Sequence, residues 1–279
     1  MTICKKLIIG NSRLSKNIIN ERNFSNYELI SLRDIISGVK TNNNSYKTIF
    51  YISQITRRYF NNPELLRINK LITEYVLNLT SDSTQIIFIS SIDVFGNKEK
   101  KLNSSLKRDS FDFYSQSKIE TEIKLEENIP KTMFLRLPGM YGSDLEEESI
   151  ISRMIKTLLN CNAIKLTSPK IIRSTISYSY TAKYILECFK EFCMKSDSNY
   201  YGIVGAKQSL TLKEIASFLL EKKNIFGNNN NLIIQHDNDS KEGRIDEQHI
   251  TQSDLDIINY EPESIYFGIN SFIQKLFSK

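Results

Sequence analysis

The chain has 279 residues, 40% of them hydrophobic and 25% charged, enough for one large domain, or a main domain with a smaller lobe, built on an ordinary core. The net charge of +5 arises from 37 basic and 32 acidic residues interspersed along the chain, so no basic tract suited to nucleic acid stands out. The apolar runs are far too short to span a bilayer. Four cysteines without a CxxC pair and two histidines offer no metal cluster. Scattered free thiols point to a reducing compartment, and a first strand starting beside Met1 leaves no room for a signal peptide, so a cytoplasmic location is expected.

In chain order, Lys6 to Ile9 is a short apolar strand ending at Gly10, and a helical pattern begins at Ile18 and Ile19. Tyr27 to Leu32 is a second strand candidate with Arg33 at its end. Lys47 to Ser53 is a third, with the apolar centre of a buried parallel strand. Pro63 to Leu79 carries helical spacing behind a proline placed for a helix start. Gln85 to Ser90 is another buried strand, Tyr114 to Glu126 a helix, and Thr132 to Leu137 a strand stopped by Pro138 and Gly139. In the second half, helices are expected over Glu148 to Leu159 and Thr181 to Phe192, and a strand over Tyr200 to Val204. An amphipathic helix over Thr211 to Lys222 is capped at Ser209 or Thr211. Asn224 to Asn231 reads as a polar turn or loop. Strands alternating with helices predict an α/β fold with a doubly wound parallel sheet. The lobe change is placed near Gly142, dividing residues 1–142 from 143–279, the second part interleaved with the sheet.

Three segments carry chemistry. Gly10-Asn11-Ser12-Arg13-Leu14-Ser15 lies between the first strand and first helix, where a dinucleotide pyrophosphate meets backbone N–H groups. Only one glycine is present, and an ordinary strand-to-helix turn fits the segment equally. Tyr114 and Lys118 form a YxxxK pair on one helix face, where the ammonium favours phenolate and fits the phenol for proton transfer. With 14 tyrosines in the chain, such a spacing arises by chance about once. Ser91 follows the QIIFIS strand, at the carboxyl end where open α/β sheets place ligands. No histidine sits near it in the sequence, which argues against a hydrolase triad; it reads otherwise as a turn serine.

These pieces, in this order, resemble the extended short-chain dehydrogenase/reductase family of nucleotide-sugar epimerases, dehydratases and reductases. Asn62-Pro63 to Asn69 is similar to the family's NPxxxxxxN helix, and SSIDVFG from Ser90 to its SSxxVYG segment. Asp112 to Lys118 resembles the active-site helix, Arg136 to Gly142 the RPxxxYG stretch, and Tyr201 to Lys213 the YNIGSGxxxSLxE segment. The Arg244 and Asp254-Leu255 regions resemble the late substrate-binding end. The resemblance spans nearly the whole chain and implies a Rossmann-like fold with a small C-terminal substrate-binding lobe. It implies Tyr114 as acid/base, Lys118 on the nicotinamide ribose, and Ser91 orienting the substrate oxygen. Gly10, Ser12, Arg13, Leu14, Arg33, Ser53, Asn69, Pro138 and Gly139 would bind cofactor; Asp93 and Arg244 would join Ser91 on a nucleotide-diphosphate sugar.

The chain also departs from the family. The glycine loop is reduced, Ser53-Gln54 replaces a small pair near the cofactor, and Tyr180-Thr181 stands where an Asp is common. The stretch from Arg33 to Lys47 is short, as though part of a strand–helix unit were missing. Arg13 and Arg33 favour NADP(H) over NAD(H), although Asp34 beside Arg33 leaves that register open. Ile92 stands where dehydratases keep an acid, which disfavours dehydration. The expectation is reduction of a 4-keto-deoxysugar nucleotide. A 4-epimerase of the same family is one alternative, and a non-catalytic nucleotide-binding or interaction protein is another. Relatives often pair through the helices carrying Tyr114 and Asn69, so a homodimer is compatible with the resemblance.

Overall fold

Apolar strands and side-chain-capped helices alternate from the first residues that the structure shows. A computed structural model describes residues 6–21, 24–39, 46–56, 61–96, 101–102, 107–146, 149–161, 163–167, 169–195, 198–226, 231–234, 249–250 and 261–278. Strand β1 (Lys6–Ile9) leads through Gly10 into α1 (Arg13–Ile19), whose cap is Ser12. This helix starts earlier than the Ile18–Ile19 pair suggests, because a serine hydroxyl accepting from the Ser15 N–H sets its first turn. Strand β2 (Tyr27–Ile30) is shorter than predicted. Ser31 leaves the strand to cap α2 (Leu32–Ile36), and Asp34 completes the capping box. Arg33 therefore lies in the first turn of a helix and not at a strand end.

Next come β3 (Thr48–Tyr51), α3 (Pro63–Leu77) behind an Asn62 cap, and β4 (Gln85–Ser91), which ends in a single 3-10 turn over Ile92–Val94. The short β5 (Lys101–Leu102) precedes α4 (Phe113–Asn128), β6 (Thr132–Leu137) and β7 (Gly139–Tyr141). The second half holds α5 (Ile150–Cys161), β8 (Ala163–Leu166), β9 (Ile172–Arg173), β10 (Thr175–Ser177) and α6 (Tyr178–Lys195). It continues with β11 (Tyr200–Ile203), β12 (Leu210–Thr211) and α7 (Leu212–Leu220), for which Thr211 and not Ser209 is the cap. A helical turn, α8 (Lys223–Phe226), occupies part of the expected polar loop, and Asn231 opens β13 (Asn231–Ile234). Strand β14 (His249–Ile250) pairs with β5, and α9 (Ile265–Phe277) ends the described chain.

Six strands form one parallel sheet in the order β11-β6-β4-β3-β1-β2. The chain steps from β1 outward to β2, then returns to the other side of β1 for β3, so the winding reverses between β1 and β3. That reversal is the topological switch point at which doubly wound sheets bind ligands. The usual Rossmann order carries one more strand outside β2, which has no counterpart among the described residues. The stretch between β2 and β3 is short, and α2 is the element described within it. The second half contributes β11 to the sheet and α6, which packs on α1.

Alternate residues of the strands feed two cores, as the period-two geometry of a strand requires. Ile8, Phe50, Ile87 and Leu135 face α1, α6 and the lobe, while Leu7, Ile9, Ile49, Phe88 and Phe134 face α3 and α4. No described helix is long and apolar enough to cross a membrane.

Candidate active site

The carboxyl ends of β1, β3, β4 and β6 open into a cleft of about 1460 Å³, walled on the far side by β9, β10 and α5. Single drug-sized ligands fill roughly 300–1,000 Å³, so this cleft has room for two nucleotide-sized molecules side by side. Ser12, Arg13, Leu14, Arg33, Ser53, Ser91, Asp93, Tyr114, Lys118, Pro138 and Gly139 all line it. Eleven positions scattered over the first half of the sequence thus meet in one place, because each follows a strand of the same parallel sheet or lies on the helix beside it.

Gly10 lies under the cleft wall and is obligatory there. Its φ is +97°, and an added Cβ would lie 2.1 Å from the Ser53 Cβ. The single glycine thus serves a close approach between the β1–α1 and β3–α3 loops. Ser12 is committed to the helix cap, and the Ser15 hydroxyl donates to the Gly10 carbonyl. Arg13 makes a bidentate pair with Asp144, Nε to Oδ2 at 2.9 Å and Nη2 to Oδ1 at 3.1 Å, joining α1 to the segment after β7. Arg33 is exposed at the cleft edge. Asp34 has its carboxylate on the Ser31 hydroxyl at 2.6 Å and on the Ser31 N–H, and these bonds hold its pKa below the ordinary value. The acid is spent on the cap, while Arg33 lines the cleft.

Helix α4 carries the other half of the site. The Asp112 cap, accepting from the Ser115 N–H at 2.7 Å, fixes its start and so the direction of Tyr114 and Lys118, one turn apart. Lys118 is buried; its Nζ donates to the Ile89 carbonyl at 2.8 Å and lies 4.9 Å from the Phe88 ring centre and 5.9 Å from that of Tyr114. Burial pulls its pKa down to about 7, opposed by the carboxylates of Glu122 and Asp93. Ser91 ends β4 and accepts from the Asp93 N–H at 3.2 Å, while its hydroxyl donates to Asp93 Oδ2 at 3.1 Å. It is thus both the turn serine and a cleft residue.

Asn69 has a different place from the one expected. It does not line the cleft: its amide accepts from the Ile55 N–H at 2.8 Å and donates to the Ile55 carbonyl and to Ser117 Oγ, tying α3 to the β3 loop and to α4. Arg244 and Asp254-Leu255 lie outside the described residues. Other residues join the site without a motif to announce them. Glu122, one turn beyond Lys118, is fully buried and takes a bidentate pair from Arg136, at 3.0 and 2.7 Å, with Arg108 at 3.3 Å. Arg153 and Arg173 line the lobe side of the cleft. The sequence signal for Glu122 is an inward arginine in the fully buried strand β6, which needs a partner; its spacing from Lys118 places that partner on the same helix face.

Among the described residues, the side-chain oxygens Ser53 Oγ, Gln54 Oε1 and Ser90 Oγ are buried without a hydrogen-bond partner, and all three residues line the cleft at the ends of β3 and β4. Buried polar atoms are rarely left so. They mark the base of the cleft, at the ends of β3 and β4, as a place that fits a ligand rich in hydroxyls, such as a dinucleotide. No group of three or more His, Cys, Asp or Glu among the described residues could hold a metal.

No protein-family model and no curated protein sequence matches the chain. Solved structures do. RMD from Pseudomonas aeruginosa, complexed with NADPH, superposes with a TM-score of 0.74 at 14% identity, covering 99% of this chain and 100% of that one. The dTDP-4-dehydrorhamnose reductase of Bacillus anthracis in complex with NADP gives 0.74 at 15% identity, over 97% and 99% of the two chains. The UDP-N-acetylglucosamine 4-epimerase of Methanobrevibacter ruminantium, in complex with UDP-N-acetylmuramic acid, gives 0.73 at 15%, over 99% and 100%. The described residues share their Rossmann-like fold.

Proposed function

We propose that this chain is an NAD(P)-dependent oxidoreductase of the extended short-chain dehydrogenase/reductase type that reduces a 4-keto-deoxysugar nucleotide to its alcohol. The observation that carries the reading is the meeting of Ser91, Tyr114 and Lys118 at the mouth of a parallel sheet, beside a floor of unpartnered polar atoms. The nicotinamide would supply the hydride. Tyr114 delivers its proton to the reduced oxygen, Ser91 holds that oxygen by hydrogen bonding, and the Lys118 ammonium eases the phenol toward phenolate. Pro138 and Gly139 close the nicotinamide end. Arg153 and Arg173, with Arg244, suit the diphosphate of a sugar nucleotide. Ile92 is apolar and buried, so the acid of a dehydratase has no equivalent.

Arg33 and Ser31 at the cleft edge, with Lys16 nearby, favour a 2′-phosphate and hence NADP(H). Leu71 on α3 and Ile123 on α4 are apolar and exposed, which suits pairing of two copies through these helices. A 4-epimerase is the second reading, because the same three residues serve it and one of the structural neighbours is named as such. The two separate by cofactor exchange: a reductase must release its dinucleotide at each turnover, whereas an epimerase re-uses it. The test is titration of the purified protein with NADPH and NADH by fluorescence, then a panel of 4-keto-sugar nucleotides followed by loss of reduced cofactor. Saturable binding and substrate-dependent oxidation are expected. Absence of binding at millimolar concentration would reject the enzyme and leave the non-catalytic alternative.

A further inference from the structure

Lys118 carries an amine taken out of water, and such a group needs a counter-charge or gives up its proton. Its nearest contacts bring no charge. Nζ donates to the Ile89 carbonyl at 2.8 Å and lies 4.9 and 5.9 Å from the ring centres of Phe88 and Tyr114. Helix α3 and the end of β3 meet α4 with neutral groups. Asn69 and Thr73 reach Ser117 and Thr121, and the Gln54 amide donates to Thr121 Oγ1 at 2.7 Å. Behind them Tyr51 is a phenol whose pKa burial raises well above the ordinary value. Two carboxylates come from other directions. Asp93, from the turn after β4, is half-buried, lines the cleft and accepts from the Ser91 hydroxyl. Glu122 lies one turn beyond Lys118 on the same face of α4 and is fully buried.

Glu122 is locked in place. Arg136, from β6, donates to both of its oxygens at 3.0 and 2.7 Å, and that guanidinium lies 4.9 Å from the ring centre of Phe95 and 5.5 Å from that of Tyr201. Arg108 donates to Glu122 at 3.3 Å and to Glu126 at 2.6 and 3.1 Å, and Tyr201 of β11 bonds Glu126 as well. These pairings do not exhaust the cluster. Lys118, Arg136 and Arg108 are set against Glu122 and Glu126, and Asp93 makes up the balance from the cleft side. Water reaches Asp93 and screens it; Glu122, at 0% exposure, is screened far less. Burial is the largest influence on the Lys118 pKa and lowers it, and Glu122 is the first of the two carboxylates that raise it. We propose that Glu122 is a positioning residue for the reaction, a buried counter-charge locked by Arg136 that keeps Lys118 in its ammonium form beside Tyr114. The inference rests on the function proposed above, in which only an ammonium draws the phenol toward phenolate. Glu122 does not line the cleft and acts through Lys118.

The test reads Lys118 directly, by NMR titration of protein carrying a labelled carbon at the lysine ε position; the Lys118 signal is the one lost in Lys118→Arg. Wild type should titrate at about pH 7, apart from exposed lysines at about 10.4. In Glu122→Gln the midpoint should fall by about one pH unit or more. Glu122→Gln combined with Arg136→Met keeps the shape of the carboxylate and leaves Arg136 no unpaired charge. Its midpoint should fall likewise, and it decides alone if the single variant does not fold. An unchanged midpoint in the double variant overturns the proposal, even where the single one moves, because that shift then belongs to the bare guanidinium. The second reading is the pH profile of kcat for reduction of a 4-keto-sugar nucleotide. Its alkaline limb should move to lower pH together with the Lys118 midpoint. A limb that stays in place while Lys118 moves overturns the proposal, and so does a loss of kcat by one factor at every pH, the mark of a purely structural role. If wild type binds no dinucleotide, the proposed function itself falls; the Lys118 titration needs no ligand and tells that failure from this one.

Discussion

The two sides of the cleft are held together in different ways. On the nucleotide-loop side, Arg13 and Asp144 pair across the cleft mouth with their side chains 33% and 45% exposed. On the catalytic side, Arg136 and Glu122 pair at 3% and 0% exposure, with Arg108 and Glu126 extending the network outward. Water screens the first pair, and exposed pairs are worth about 0–1 kcal/mol. The second has been stripped of water and cannot lose one member without leaving a bare charge in the core. Helix α4, with Tyr114 and Lys118, is thus over-determined by buried charge, by the Asn69 clamp and by the Gln54–Thr121 bond. The loop of Gly10 to Arg13 is held by the Ser12 cap, the Ser15–Gly10 bond and a screened pair. The two sides thus differ in how deeply their ion pairs are withdrawn from water.

The strongest way to break the contrast is to unpair the buried side. Glu122→Gln leaves Arg136 charged and under-paired in the core, and should cost about 3–5 kcal/mol, a fall of roughly 10 °C in melting temperature. Glu122→Leu combined with Arg136→Met should recover most of that loss, since an apolar pair of similar volume carries no desolvation cost. If the single variant melts within about 1 °C of wild type, the network does not hold α4. Next comes the chemistry itself. Tyr114→Phe removes one hydroxyl and no packing; turnover should fall at least about a hundredfold, with dinucleotide affinity changed less than about twofold. Unchanged turnover rejects Tyr114 as the acid.

The sequence announces the catalytic side far better than the loop side, for a physical reason. Buried parallel strands such as QIIFIS and TMFLRL are continuous apolar runs, and the residues that follow them must emerge at one sheet edge; Ser91 and Pro138 are found that way. The Tyr114–Lys118 spacing is a property of any helix. What the sequence conceals is partnership. Nothing local tells that Asn69 spends its amide on Ile55 and Ser117, or that Asp144 meets Arg13 across the fold. Boundaries slip where a cap overrides the apolar pattern. Ser12 starts α1 ahead of Ile18, and Ser31 ends β2 so that Arg33 enters a helix. That no strand among the described residues lies outside β2 is foreshadowed only by the short stretch after Arg33.

Lys118 tests the catalytic side by pH. In the unfolded chain a lysine keeps its proton up to about pH 10.4, whereas burial lets the folded protein hold this one only to about 7. Between those values the unfolded state binds more protons, so this group makes stability rise with pH; the contribution is complete above the unfolded value and is lost as pH falls through about 7. Lys118→Met removes that dependence. Its melting temperature relative to wild type should be higher at mildly acidic pH than near pH 10, by roughly 5 °C. An equal offset at both pH values would show that the ammonium is not held at a cost.

The smallest effect sharpens the loop side. Asp144→Asn leaves the side-chain volume unchanged and removes the charge that neutralises Arg13. Because the pair is half exposed, folding stability should change by less than about 1 kcal/mol. Binding should change more selectively. Arg13 lies at the start of α1, in the cleft that also holds Arg33. An Arg13 released from Asp144 can turn its planar donor fork to a phosphate, where charge-assisted bidentate bonds are strong. If the two arginines read a 2′-phosphate, the variant should bind NADPH several-fold more tightly than wild type does and NADH no better, and the gain should shrink as salt is raised. If Arg13 serves only to latch the segment after β7 to α1, the variant should bind both dinucleotides equally or more weakly, since the cleft mouth loses an ion pair between these segments and gains no ligand contact. The ratio of the two affinities, and not either one alone, separates a phosphate-reading arginine from a latch.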